Sequence, residues 1–194
     1  MGTREKILEA VQMNQPPAIE LTEMPIARNG GQDLVAKYME VFESIGGLAF
    51  LAEDMHSVTA MIKEKFDSGK RIVTNIPELC DPFELLQTEI DPHVYEDVEL
   101  AIIKGHFAVA ENGAVWITEE LMGHRIIPYI CQHLAVVVNA NSLVPTLHEA
   151  YEKIGTGDYG FGAFISGPSK TADIEQALVL GAHGPLSMTV FILK

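Results

Sequence analysis

A three-layer α/β domain with a mixed, mostly parallel sheet is the fold class this sequence predicts. Three observations carry that reading. From Leu34 onward, short strand-like apolar runs alternate with segments of helical period. The run from Leu134 to Val138 is almost wholly apolar, as in a central strand covered on both faces. Leu48–Leu51, Val58–Phe66 and Arg71–Thr74 follow one another at βαβ spacing, which implies parallel pairing through a right-handed crossover.

The elements follow in chain order. Residues 4–13 make a short amphipathic helix through Ile7, Leu8 and Val11, stopped by Pro16-Pro17. The segment to Arg28 is an arm that packs either on the domain or on a neighbouring subunit, which leaves a homo-oligomer open. Residues 1–28 thus stand apart as helix and arm, and residues 29–194 form one α/β domain. Asn29-Gly30-Gly31 opens a helix over Leu34, Tyr38, Val41, Phe42 and Ile45, and Gly46-Gly47 ends it. The next helix runs over Val58, Met61, Ile62 and Phe66 and stops at Gly69. Residues 77–97 are irregular and acidic, a connecting excursion or a flap. Val98–Ile103 is a strand. Phe107–Ala110 and Ala114–Thr118 flank Glu111-Asn112-Gly113, and Asn-Gly between apolar runs signals a hairpin. Pro145–Ile154 is a helix with Leu147, Ala150, Tyr151 and Ile154 inward, and Phe161–Ile165 is a strand. Ser169 and Thr171 can cap a helix over Ile174, Ala177, Leu178 and Gly181. Leu186, Met188, Val190 and Ile192 alternate along a final strand.

Composition narrows the function classes. With 47% apolar residues in 194, the chain can build one full core. The net charge of -14 repels phosphate backbones and anionic lipid, so neither nucleic acid nor membrane insertion is expected. No apolar run approaches the ~20 residues of a membrane span. The start, Met1 to Lys6, is charged with no signal core behind it, and a cytoplasmic protein is expected. Cys80 and Cys131 stand far apart and belong to no C-x-x-C pair. The seven histidines show no i, i+4 pairing. No metal or iron–sulfur cluster is therefore expected on this chain.

The stretch Ser166 to Glu175, closed by His183-Gly184-Pro185, reads as the organising site. In an open α/β sheet, ligands bind beyond the carboxyl ends of the strands, where this loop is expected. Ser166, Gly167, Ser169, Lys170 and Thr171 offer hydroxyls, amides and one cation for a small ligand at a helix start. Asp173 and Glu175 in the first turn would oppose a phosphate, which points to a hydroxyl, amide or amine group, or a counter-ion. His183, beside Gly184, is an acid–base candidate. It joins the Ser169 loop only if both lie at the same sheet end, whereas a single helix normally carries the chain to the opposite end. Arg125 can clamp a carboxylate, or pair with Glu119 or Glu120.

Three stretches together resemble the lactate-utilisation protein C family, the LUD domain. They are Phe107 to Gly113, Arg125 through Pro128 to His133 and the apolar run after it, and Ser166 to Glu175 with Gly181 to Pro185. The resemblance covers roughly Gly30 to the C-terminus. It implies a fold like that of glucosamine-6-phosphate isomerase, ribose-5-phosphate isomerase and the CoA transferases. It also implies a non-redox component working beside iron–sulfur subunits in oxidising L-lactate to pyruvate, with a small anionic metabolite as ligand class. The family more often has Arg where Lys170 stands, and usually reads Glu-Thr-Gly-Thr where this chain has Glu111 to Ala114. In CoA transferases of the same fold class, a glutamate in a Glu-Asn-Gly turn is the covalent nucleophile. That gives the second reading: a stand-alone CoA-transferase-like or sugar-phosphate-isomerase-like enzyme using Glu111.

Overall fold

The structure, a computed structural model, describes residues 2–20, 33–66, 69–172 and 178–194. In chain order these form α1 (Thr3–Met13), α2 (Leu34–Ser44), β1 (Leu48–Ala52), α3 (Met55–Lys65), β2 (Ile72–Thr74), β3 (Glu84–Leu85) and β4 (Leu100–Lys104). Then come β5 (Phe107–Val109), β6 (Ala114–Thr118), α4 (Glu119–Met122), α5 (Ile127–Ile130), β7 (His133–Asn139) and α6 (Leu147–Ile154). β8 (Gly162–Ile165), β9 (Lys170–Ala172), β10 (Leu178–Leu180) and β11 (Ser187–Leu193) complete the chain.

The central sheet has the order β1-β11-β7-β4-β2-β3 and every pair in it is parallel. The antiparallel pairs sit apart, in a sheet of order β5-β6-β8 and a β9/β10 ribbon. β1 and β2 are parallel but not paired with each other, because β11, β7 and β4 lie between them. Spacing along the chain cannot reveal strands that arrive later and insert.

Period-2 alternation sends side chains to two cores. On one face, Leu134, Val136 and Val138 of β7 pack with Val190, Ile192 and Ile103 under α2, α4 and α5. On the other, Ala135, Val137, Leu100, Ile102 and Phe191 pack under Val58 and Ile62 of α3 and under Leu79 and Phe83. The small sheet alternates in the same way. Ala108, Val115 and Ile117 join the first core, while Phe107, Val109 and Trp116 form a third cluster with Ala150 of α6.

Several expectations need adjustment. α2 is capped by Asp33, whose carboxylate accepts from the Val35 and Ala36 amides. Asn29-Gly30-Gly31 lies outside the described residues. α1 forms as predicted, yet none of its residues is buried. Residues 77–97 contain the edge strand β3 and two 3-10 turns. They are pinned by Tyr95, whose hydroxyl both donates to Gln87 O and accepts from Gln87 N at 2.8 Å. Tyr151, predicted inward, is 61% exposed.

The largest correction concerns residues 169–181. The helix predicted there is not what the described residues show: Lys170–Ala172 and Leu178–Leu180 pair as antiparallel strands. Val179 O accepts from the Thr171 hydroxyl, and Ser169 O accepts from the Gly181 amide, so cross-strand bonds win over helical period. The anion site at a helix start and the caps assigned to Ser169 and Thr171 fall with that helix.

Candidate functional site

The loop after β8 runs along the amino ends of β1, β7 and β11, not the carboxyl ends as expected. Its first half is built against the end of α2. Ser166 Oγ donates to Asn112 O at 2.8 Å. Lys170 Nζ donates to Ile45 O, a carbonyl left open at the α2 terminus, where a cation also suits the helix dipole. Gly167 (φ +74°) lies against Ile45, where a Cβ would sit 3.4 Å from the Ile45 carbonyl oxygen. Tyr38 OH reaches the same junction from α2, donating to Gly113 O at 3.2 Å.

The second half returns through the ribbon. Ser169 N donates to Pro185 O at 2.9 Å. A Cβ on Gly184 would stand 3.1 Å from Ser169 Cβ. A ribbon reverses the chain over a few residues, whereas a helix would have carried it away. The sequence objection to joining His183 with Ser169 is thereby removed. A cleft of about 270 Å³ opens between the two loops. Gly167, Ser169, Lys170, His183 and Gly184 line it beside Tyr129 and Leu134. Among the described residues, no hydrogen-bond partner engages the Ser169 hydroxyl or the His183 imidazole, so both are open to a ligand.

Other candidates lie elsewhere. The Thr171 hydroxyl is turned to the ribbon, donating to Val179 O at 3.3 Å. Asp173 lies outside the described residues. Glu111 is exposed, and its carboxylate accepts from Leu147 N at 2.8 Å, capping α6. A covalent nucleophile needs protection from water, which this position lacks. Arg125 sits past the Thr118/Gly162 end of β6 and β8, opposite the Ser166 end. Its Nε donates to Glu119 Oε2 at 2.7 Å and its guanidinium lies over the Phe161 ring. That hydrogen bond from Arg125 holds the Glu119 carboxyl below its usual range. Arg125 is thus an ion-pair partner on an open surface shared with Glu120 and His124.

His133 opens β7 on the other face of the central sheet. It faces α3, with Ser187 Oγ at 2.7 Å from Nδ1 and the Phe66 ring edge-on. Desolvation holds its pKa below the ordinary value. The sequence reading missed Tyr129 as a wall of the cleft and the α2 terminus as the dock for Lys170. Gly46-Gly47 marked the end of a helix but carried no signal of what docks on it. Among the described residues, no three His, Cys, Asp or Glu side chains gather where a metal could sit. None of the described helices is long and apolar enough to cross a membrane.

The LUD domain signature matches residues 88–193, which span β4 to β11 and the whole lining of the cleft. Lactate utilization protein C of Oceanobacillus iheyensis is 23% identical over 184 residues, covering 83% of this chain and 78% of that protein. Lactate utilization protein C 1 of Bacillus mycoides is 30% identical over 101 residues, covering 49% of this chain and 43% of that protein. A crystal structure of a DUF162 family protein from Deinococcus radiodurans superposes with a TM-score of 0.66 at 15% identity. It covers 83% of this chain and 96% of that one, a likeness of fold.

Proposed function

The chain belongs to the LUD domain family, and on that premise we propose that it is a non-redox component of lactate utilisation. It binds a small 2-hydroxy or 2-oxo acid in the cleft between the Ser169 and His183 loops, working beside iron–sulfur subunits that take the electrons when L-lactate becomes pyruvate. The observation that carries this reading is the meeting of two uncommitted polar side chains, Ser169 and His183, on one small cleft. The Lys170 ammonium on the same wall supplies charge for a carboxylate. The hydroxyl and imidazole address the oxygen on the neighbouring carbon. Clusters and electron transfer belong to the partner subunits, and this chain binds no cofactor in this reading.

The test is growth on L-lactate of a strain that depends on this chain. Ser169→Ala combined with His183→Ala should abolish that growth, while the purified variant keeps its melting temperature and still captures iron–sulfur partners from lactate-grown cells. Growth at the wild-type rate would remove the cleft from the function. Failure of the wild-type chain to capture any iron–sulfur protein would remove the partner reading.

A further inference from the structure

A second cavity, of about 450 Å³, opens on the opposite face of the central sheet. It lies where α3 ends and β2 and β3 begin. That volume falls within the ~300–1,000 Å³ of small-molecule sites and would hold about fifteen waters. Its floor is apolar: Phe66, Ile72, Pro82 and Phe83. Its rim carries Lys63, Lys70 and Arg71 with Glu84, three cations to one carboxylate in a chain of net charge -14.

The three cations are not equivalent. Arg71 is committed. It grips Glu84 through Nε and Nη2, at 2.9 and 2.7 Å, and donates from Nη1 to Asp97 and to Val94 O. It also lies over the Tyr95 ring. Arg71 therefore braces the wall, tying β2 to β3 and to the Pro92–Tyr95 turn. Lys70 is held more loosely, with Nζ 3.4 Å from Glu99 and its side chain 55% exposed. Lys63 is exposed and pairs with no carboxylate among the described residues. Among the described residues, one ammonium without a carboxylate partner, a second within reach and an aromatic floor suit a monoanion with an apolar body. They do not suit a phosphate dianion, which the nearby Glu84, Asp97 and Glu99 would repel.

We propose that this cavity binds an organic monocarboxylate with an aryl or branched alkyl body. The carboxylate lies between Lys63 and Lys70, and the body rests on Phe66 and Phe83. The site is distinct from the Ser169/His183 cleft, which opens on the other face, and it does not rest on the lactate reading.

The experiment titrates the full chain with naphthylacetate and with its uncharged amide, followed by backbone amide chemical shifts. Saturable binding of the acid is expected, with shifts at Phe66, Arg71 and Phe83 and none at His183 or Gly184. Lys63→Ala with Lys70→Ala should weaken it about tenfold, as should removing the charge from the ligand. Lys37→Ala with Lys153→Ala changes the net charge equally on other surfaces and should leave affinity unchanged. Lys63→Arg with Lys70→Arg keeps the charge and should retain binding, which separates lost recognition from lost fold. Equal affinity for acid and amide, undiminished binding by the alanine pair, shifts at the other cleft, or no saturation would each overturn the proposal.

Discussion

At the scale of the residue, Glu111 separates two accounts of the molecule. Its carboxylate accepts the Leu147 amide in the first turn of α6, next to Thr146, which caps Glu149 N at 3.2 Å. An acid there satisfies an open donor and complements the helix dipole. Glu111→Ala should therefore lower stability by about 1 kcal/mol in urea unfolding, with lactate-dependent growth intact. Growth lost at unchanged stability would restore Glu111 as a reacting group. The thiols divide just as plainly. Burial pushes the Cys131 thiol up to about 12, so it stays protonated, while Cys80 is exposed. One thiol of the native chain should react with an aromatic disulfide reagent, and Cys80→Ser should abolish that reaction.

At the scale of the element, the β9/β10 ribbon decides whether there is a cleft at all. It reverses the chain so that Gly184 packs on Ser169. The chain leaves β10 at Gly181, whose φ of +75° L-residues rarely adopt, and where a Cβ would meet Leu186 Cδ2 at 2.2 Å. Gly181→Ala should loosen the ribbon by about 1 kcal/mol or more. Amide hydrogen exchange in 170–172 and 178–180 should quicken, while β7 and β11 keep their protection. Acceleration spread evenly over all strands would mean that the ribbon is not a separate unit.

At the scale of the whole molecule, the balance of partly desolvated histidines and held carboxylates sets the response to acid. Desolvation keeps His106 and His133 below their ordinary 6.5. As pH falls through that ordinary value, the unfolded chain takes up protons that the folded chain refuses, and stability drops until the folded histidines titrate. His93, raised beside Asp91, shifts the opposite way but is fully exposed. A second loss follows at lower pH. Asp54 is lowered by the Ser57 amide, Glu84 by Arg71 and Glu119 by Arg125, and each loses its partner on protonation. The melting temperature should thus fall between pH 7 and pH 5, and His106→Asn with His133→Asn should flatten that upper step. An unchanged slope in the double variant would assign the loss to other groups.

The sequence by itself determined the α/β class, the βαβ order, the Asn-Gly hairpin, the apolar centre of β7 and the two separate loops that carry Ser169 and His183. Those features are local: period, turn chemistry and apolar runs act within a few residues. Only the tertiary structure decided which strands are neighbours, that residues 170–172 and 178–180 pair as a ribbon, and that the Ser169 loop lies at the amino ends of the central strands. Ala177, Leu178 and Gly181 fit one helical face, yet Thr171 and Val179 find cross-strand partners that no local pattern announces. Likewise the sequence offers Lys170 as a cation, but only packing places Ile45 O where that cation caps a helix and closes one wall of the cleft. Partners distant in sequence are chosen by total burial and hydrogen-bond satisfaction, which no window of the chain contains.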